Sequence, residues 1–482
     1  MDNLKKSTIT NIIWKLLERI LAQVISLAVS IVLARLLSPN EYSTVGVVTI
    51  FFSFANVIIS GGLNTALIQK KDADAKDYSS VMFLSVVLSF VLYGVLFFCA
   101  PVISRLYKQD ILVPIIRVMA LSLPIYAIKS VYCSYISSNL QFRKFFWATL
   151  GGTITSAFVG IIMAVKGYGA WALVAQQITN TVIDTVILML TTRIKLAFSL
   201  SFSRLKSLFN YGWKVFVSSL IGVAYNEAIP LFLGIKFTPA DLSFYTKGKN
   251  FPLLISSTTT STLSAVLFPV LAKSQDDRER LLHYTRQFIR LTSYIVFPLM
   301  LGFFAVSDNF ITLLLTEKWI NASYYVKIFC IVFMFEIIHI GNCETIKAIG
   351  RSDVFLIMEI IKKSSYFVII ALFIFLGQTP EALALSSICC TGVAIIVNSI
   401  PNRKFIDYSY RRQAADILPN LLCAVAMCAV VLLVGSISLP VFASLCLQIF
   451  SGIASYVVLS IITRNASFKY LLKTICEIIK KR

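Results

Sequence analysis

Apolar stretches long enough to cross a bilayer follow one another along almost the whole chain, with only short polar connections between them. A helical span needs roughly 20 apolar residues, because the hydrocarbon core is about 30 Å thick and a helix rises about 1.5 Å per residue. Fourteen runs read as spans of this kind: 12–37, 42–66, 79–104, 111–137, 145–165, 168–192, 208–234, 242–270, 285–307, 323–346, 356–376, 382–400, 416–436 and 441–463. Inside lipid no water satisfies a backbone N–H or C=O, so runs of this length are expected to be helices. Composition agrees: the 482 residues are 57% hydrophobic and 14% charged, whereas soluble domains hold about 45–50% apolar and about 25% charged residues. The expected class is an all-α polytopic membrane protein.

Several chemistries are excluded by what is missing. No soluble domain interrupts the spans, so a fused catalytic domain is not expected. There is no Walker lysine loop, serine elbow or zinc-binding helix. The ten cysteines are scattered, most of them inside apolar runs, and none forms a metal-like spacing with the two histidines, His283 and His339. They read as small packing residues, and neither a metal, a cofactor nor an enzymatic activity is expected. The first run follows a polar start and lacks a short apolar region ending in a small-residue cleavage site, so it is expected to remain as a signal anchor.

The formal net charge is +21, from 44 Lys and Arg against 23 Asp and Glu. In a soluble protein that excess would suggest nucleic acid. Here its placement reads as topology, and no nucleic-acid partner is expected. With a cytoplasmic N-terminus, the inner connections hold Lys70-Lys71, Arg143-Lys144, Arg403-Lys404, Arg411-Arg412 and the tail Lys480-Lys481-Arg482. The outer connections hold only Arg105, Lys108, Lys166, Lys236 and Lys318. Cytoplasmic loops concentrate Lys and Arg. The bias therefore predicts an even number of spans, both termini cytoplasmic, in the cell inner (plasma) membrane, with the basic loops against anionic lipid.

The chain also echoes itself. Leu37-Ser38-Pro39-Asn40-Glu41-Tyr42 precedes the second span, and Phe237-Thr238-Pro239-Ala240-Asp241-Leu242 precedes the eighth, about 200 residues later. Gly167-Tyr168-Gly169-Ala170-Trp171-Ala172-Leu173 is similarly echoed by Gly377-Gln378-Thr379-Pro380-Glu381-Ala382-Leu383. Two six-span repeats of parallel topology are expected, related by an axis along the membrane normal, with a substrate site at their interface. The expected organisation is an N-lobe over 1–206, a C-lobe over 207–415, and over 416–482 an appended, lipid-facing pair of spans with a basic tail.

At this point the chain resembles a known family. Two six-helix repeats plus two helices is the plan of the multidrug/oligosaccharidyl-lipid/polysaccharide exporter superfamily. Ala34-Arg35-Leu36-Leu37-Ser38-Pro39-Asn40-Glu41-Tyr42, Gly167 to Val174, and Phe268-Pro269 followed by a charged loop and Arg286 resemble its polysaccharide-transporter branch. The resemblance implies a Wzx-type flippase for undecaprenyl-pyrophosphate-linked oligosaccharide units, with spans one, two, seven and eight lining a central cavity. The branch often has an Asp in span seven, where this chain offers Glu227.

An ionisable side chain at mid-bilayer costs roughly 2.5–3.5 kcal/mol, so each such charge needs a partner, a water-filled cavity or a use. Span one places Lys15, Arg19, Gln23, Ser26 and Ser30 on one helical stripe. As a cavity wall, Arg19 would grip pyrophosphate oxygens with its planar fork; as a bland alternative, Lys15 snorkels to the interface. Span seven aligns Lys214 and Asn226 with Glu227 adjacent, and span eight carries Lys247 and Lys249. Arg19, Lys15, Gln23, Lys214, Asn226 and Lys249 are the expected substrate-binding residues. Glu227 reads either as a proton or Na⁺ coupling residue or as a fixed salt bridge to Lys247 or Lys249. Glu336 and His339 in span ten can touch at i, i+3, and with Asp184 in span six they complete the coupling candidates; a packed His, and Asp184 paired with Lys129 or with a cation of span one, are the alternatives. Arg117 is expected to snorkel to the outer interface, and Glu359 to pair with Lys363.

The resulting expectation is a monomeric carrier of a polyprenyl-pyrophosphate oligosaccharide, coupled to H⁺ or Na⁺ and working by alternating access. A multidrug antiporter of the same superfamily would want an acid-rich cavity, and a membrane glycan polymerase or ligase would want a large outer loop.

Overall fold

The computed structural model describes residues 21–480 apart from 71, 193, 195–199, 276 and 378. Among the described residues the regular structure is helical throughout, and some helix lies within each of the fourteen apolar runs. Eleven helical segments, two of them formed by a pair of consecutive helices, are long and apolar enough to cross a membrane. The chain divides into two compact units, Met1–Ser243 and Phe244–Arg482.

The first unit holds α1 (Leu21–Leu36), α2 (Pro39–Ser60), α3 (Leu63–Gln69), α4 (Ala75–Tyr107), α5 (Leu112–Ala120), α6 (Ser122–Ser138), α7 (Phe142–Val165), α8 (Ala170–Thr191), α9 (Phe202–Lys236) and the first turn of α10 (Pro239–Ala272). The motif before α2 is a capping box. The Ser38 amide and hydroxyl donate to Glu41 Oε2 at 2.6 and 2.9 Å, the Glu41 amide returns a 3.4 Å bond to Ser38 Oγ, and Pro39 opens the helix. These bonds satisfy donors that a helix start otherwise leaves unpaired. Its echo works similarly at α10, where the Thr238 amide and hydroxyl donate to Asp241 Oδ2 at 3.0 and 2.7 Å. The echo therefore has a local physical cause in helix initiation. Ser243 Oγ then donates to the Pro39 carbonyl at 2.6 Å, tying the two helix starts together.

The run 42–66 is not one helix. Gly61 and Gly62 adopt positive φ of 51° and 70° and separate α2 from α3. At Gly62 the backbone comes so close to α9 that a Cβ would lie 2.0 Å from the Gly212 carbonyl oxygen. Only a residue without a side chain fits that crossing. Leu205 and Leu208 of α9 join Leu67, Tyr78, Val81 and Val131 in one buried cluster. The seventh span thus packs as part of the first unit.

The second unit is arranged around α11 (Arg278–Leu315), on which α12 (Ala322–Met334), α13 (Glu336–Ala348), α16 (Tyr410–Gly435) and α17 (Val441–Ile462) pack. It also contains α14 (Ser352–Leu376), α15 (Pro380–Ile406) and α18 (Ala466–Lys480). The run 323–346 is likewise two helices, α12 and α13, joined at Phe335.

The last two spans, expected as an appended, lipid-facing pair, carry exposed apolar residues such as Leu433 and Phe450 and are also fastened to the second unit. Polar bonds dock them onto α11: Asn420 Nδ2 donates to Ser293 Oγ at 2.8 Å, the Tyr294 hydroxyl donates to Ser460 Oγ at 2.9 Å, and Asn309 Nδ2 donates to Gln448 Oε1 at 2.8 Å. A few polar residues suffice because each of these bonds forms out of reach of water.

Candidate functional site

Lys15 and Arg19 lie outside the described residues. Gln23 is half-buried on α1, while Lys214 and Asn226 are exposed on α9 beside the half-buried Glu227, all in the first unit. Lys249 belongs to the second unit, half-buried among aromatics, its Nζ 5.9 Å from the Tyr245 ring centre and 5.8 Å from that of Phe329. Lys247, one turn's edge away, is buried with its Nζ 5.9 Å above Trp319. A cation over an aromatic face gains from the ring's negative centre, which helps keep these lysines inside a largely apolar segment.

Glu336 and His339, one turn apart on α13, each bond a different neighbouring helix. Ser256 of α10 donates to Glu336 Oε2, Asn398 of α15 donates to His339 Nδ1, and the Cys343 sulfur lies 3.5 Å from the same ring nitrogen. Nearby, Asn342 Nδ2 donates to Ser399 Oγ at 3.1 Å and to Gln413 Oε1 at 3.0 Å, and Asn402 Nδ2 donates to Asn342 Oδ1 at 2.9 Å. These are all buried groups, and such a network fixes helices in one register.

Asp184 resolves between its two proposed partners: its Oδ2 accepts from Lys129 Nζ at 2.6 Å, tying α8 to α6, and the residue is 5% exposed. Arg117 stacks its guanidinium 4.2 Å above Phe97 rather than only reaching outward. Glu359 takes Lys362 as its ion-pair partner, i to i+3, where Lys363 was expected.

Two charged clusters were not anticipated. In the first unit, the fully buried Asp77 accepts from Lys70 Nζ at 2.6 Å and from Arg204 Nη1 at 3.1 Å, and Arg204 also binds Asp74 at 2.5 Å. The Asp77 amide, and after it Arg204, hold the Asp74 carboxyl below the ordinary carboxylate range. This cluster staples the first turn of α9 to the start of α4. In the second unit, Asp416 at the start of α16 receives Arg286 as a fork, Nε at 2.7 Å and Nη2 at 2.8 Å. Arg290 Nε adds a bond at 2.8 Å and the Tyr408 hydroxyl one at 2.9 Å. Burial, together with the Asp416 charge, pushes the Tyr408 hydroxyl upward from its usual value.

The clusters are counterparts with charges exchanged. Asp77 precedes Arg286, and Arg204 precedes Asp416, by about 210 residues, close to the spacing of the sequence echoes. In each unit a long helix is clamped by the helix that follows the next three spans. The available signal was sparse: Asp416 is the only acid in its run, and Arg286 and Arg290 stand one turn apart on α11.

Against known proteins, a family model described as "Polysaccharide biosynthesis protein" matches residues 32–324. The Succinoglycan biosynthesis transport protein ExoT of Rhizobium meliloti (strain 1021) is 22% identical over 318 residues, covering 66% of this chain and 64% of that protein, so the match spans a little under two thirds of the relative's length. In fold, the chain is similar to a solved structure described as "Lipid II flippase MurJ, inward closed conformation", with TM-score 0.77, 16% identity and coverage of 94% of this chain and 99% of that one. It is also similar to an inward-facing multidrug resistance MATE family transporter of the MOP superfamily, with TM-score 0.64, 15% identity and coverage of 80% and 94%.

Proposed function

The chain belongs to the polysaccharide biosynthesis protein family, the polysaccharide-transporter branch of the multidrug/oligosaccharidyl-lipid/polysaccharide exporter superfamily, and from that premise we propose that it is a flippase for undecaprenyl-pyrophosphate-linked oligosaccharide units. It turns each unit from the cytoplasmic to the outer leaflet of the inner membrane, for O-antigen, capsule or exopolysaccharide assembly. The observation that carries this reading is the joint match: a polysaccharide-family model over residues 32–324, on a chain with the fold of a structure described as a lipid II flippase. The transport function named for the succinoglycan relative supports it.

In this reading the chain acts as a monomer with both termini cytoplasmic and fourteen spans, arranged as an N-lobe over 1–206, a C-lobe over 207–415 and the terminal pair with its tail. Arg19 and Lys15 meet the pyrophosphate, with Gln23, Lys214, Asn226 and Lys249 completing the polar wall. A guanidinium fork suits pyrophosphate oxygens, which it binds in pairs. H⁺ or Na⁺ couples through Glu227, and through Glu336 and His339, whose bonds to α10 and α15 place any change of charge on contacts among three helices. Asp184, already braced by Lys129, has the weakest case among the coupling residues.

The two charged clusters take a mechanical role. The Asp77–Arg204 clamp keeps α9 against α4 and the Asp416–Arg286 clamp keeps α16 against α11 while the carrier changes state.

The fold of a multidrug transporter favours one rival, an antiporter of organic cations. The test separates the two. A strain carrying Arg19→Glu is expected to lose surface polysaccharide and to accumulate lipid-linked oligosaccharide while the protein remains in the membrane. Full surface display would overturn the assignment of Arg19, and normal display in a deletion strain that has become drug-sensitive would favour the antiporter.

A further inference from the structure

The last helix, α18, has no part in the proposed transport path, yet its sequence is sharply two-sided. Phe468, Leu471, Leu472, Ile475, Ile478 and Ile479 recur at three- and four-residue intervals, which on a 3.6-residue turn places them along one stripe. Lys469, Lys473 and Lys480 fall together on a neighbouring stripe, with Lys481 and Arg482 beyond, against the single acid Glu477. A helix with an apolar face and a flanking row of cations has the character of one that lies in a membrane surface.

Its position permits nothing far from that surface. Only residues 463–465 separate it from α17, and the Asn465 amide still bonds the Ser460 carbonyl at 3.0 Å. The beginning of α18 is seated on the protein. Asn465 Nδ2 donates to Asn420 Oδ1 at 2.8 Å, Ser467 Oγ donates to the Arg290 carbonyl at 3.4 Å, and the Phe468 ring lies 6.3 Å from that of Tyr294. Beyond this first turn, Lys469, Leu472 and Lys473 are exposed, Leu472 by 45%, and Lys473 faces only a loose 4.0 Å contact with Glu477.

We propose that α18 is an in-plane helix that binds the anionic lipid of the leaflet on its own side, its apolar stripe entering the acyl boundary and Lys469 and Lys473 meeting lipid phosphates. Charge complementarity names the partner: a leaflet rich in acidic headgroups offers both the apolar layer and the counter-charge that the two stripes require. The proposal takes from the transport reading only the cytoplasmic side of this end. Because the first turn of α18 rests on the Arg290 carbonyl and on Asn420, while the Arg290 guanidinium binds Asp416, lipid attachment bears directly on the clamp between α11 and α16. The helix thereby makes the second unit responsive to the acidity of the surrounding leaflet.

The full-length protein in nanodiscs of phosphatidylcholine, with and without phosphatidylglycerol, tests this by amide hydrogen exchange over 466–480. Each lysine near an acidic surface strengthens attachment roughly five-fold at low salt. Exchange over this segment is expected to slow by about ten-fold or more in the acidic discs, to recover when salt shortens the Debye length from about 10 Å at 0.1 M to about 3 Å at 1 M, and to be insensitive to lipid in K469E/K473E. Exchange around Tyr294 and Tyr456 should stay unchanged in that variant, which checks that the fold survives. Equal exchange in both lipids, or lipid protection that persists in K469E/K473E, would overturn the proposal. Neither result depends on whether the protein transports a glycolipid.

Discussion

Replacing Asp416 with Leu removes the acceptor shared by Arg286, Arg290 and Tyr408 without emptying the volume it fills. Asp416 is only 4% exposed, and its two oxygens hold all three donors at the joint between α11 and α16. Breaking a buried ion pair costs about 3–5 kcal/mol, because the surviving charge is left without compensation. Two features act in opposite directions here. The side chains of Arg286 and Arg290 are 33% and 42% exposed and can turn partly to water. The Tyr408 hydroxyl is buried and stays unpaired, which adds to the loss. The net expectation is ~3 kcal/mol. For Asp416→Asn, which keeps a carbonyl acceptor but loses the charge, it is about 1–2 kcal/mol. In a unit of this size 1 kcal/mol moves an unfolding midpoint by about 2–4 °C. The Leu variant should therefore unfold ~6–12 °C below the parent and the Asn variant about half as far. Thermal unfolding in detergent micelles, followed by tyrosine and tryptophan fluorescence, reads both. A Leu variant within about 2 °C of the parent would refute the reasoning, because α16 would then be held by apolar contact alone.

Gly62→Ala should be among the most damaging single methyl additions in the first unit, since a left-handed backbone costs a side chain about 1–2 kcal/mol before its Cβ meets the Gly212 carbonyl 2.0 Å away; yield of folded protein after extraction measures it, and normal yield would contradict the observed crossing. Arg204→Asp should loosen the start of α9, visible as faster amide exchange over 202–212, and pairing it with Asp77→Arg should restore protection if the buried ion pair is what holds α9 to α4. At the exposed start of α14, the Arg351 guanidinium lowers the Asp353 carboxyl from 3.8 to about 2. A lowered acid contributes above its unfolded value and loses that contribution as pH falls through the folded one. The Arg351–Asp353 contact should thus persist at pH values where ordinary carboxylates are half protonated and vanish towards about pH 2, and Asp353→Asn should abolish that acid dependence in a stability-versus-pH series.

What the sequence revealed and what it hid divide along physical lines. Apolar length located the helices, because in lipid hydropathy and backbone satisfaction act on each segment by itself. The capping motifs at Ser38 and Thr238 were legible for the same local reason. The interruptions at Gly61-Gly62 and at Phe335 were not, since hydropathy continues straight through both. A glycine pair is a weak signal until the approach of Gly212 shows why nothing larger fits. Pairings between distant segments were the least accessible. Asp184 could be offered two partners but not assigned one, and Asp77, Arg204 and Asp416 drew no attention because each is unremarkable within its own run. How the last two spans attach to α11 was hidden for a related reason: counting polar residues ignores that Asn420 and Gln448 each find a specific partner. Of the candidate site residues, Lys15 and Arg19 fall outside the described residues, while Glu336 and His339 bond different helices, α10 and α15, which their spacing alone did not reveal.

The carrier account is tested most directly by reconstituting the purified protein into sealed vesicles whose inner leaflet contains undecaprenyl-pyrophosphate oligosaccharide, with exposure of the sugar on the outside followed by an impermeant lectin. The account predicts that lectin binding rises with the protein and not with its Arg19→Glu variant, and that it depends on an H⁺ or Na⁺ gradient. Sugar that stays inside, in vesicles where the same protein expels an organic cation, would contradict it.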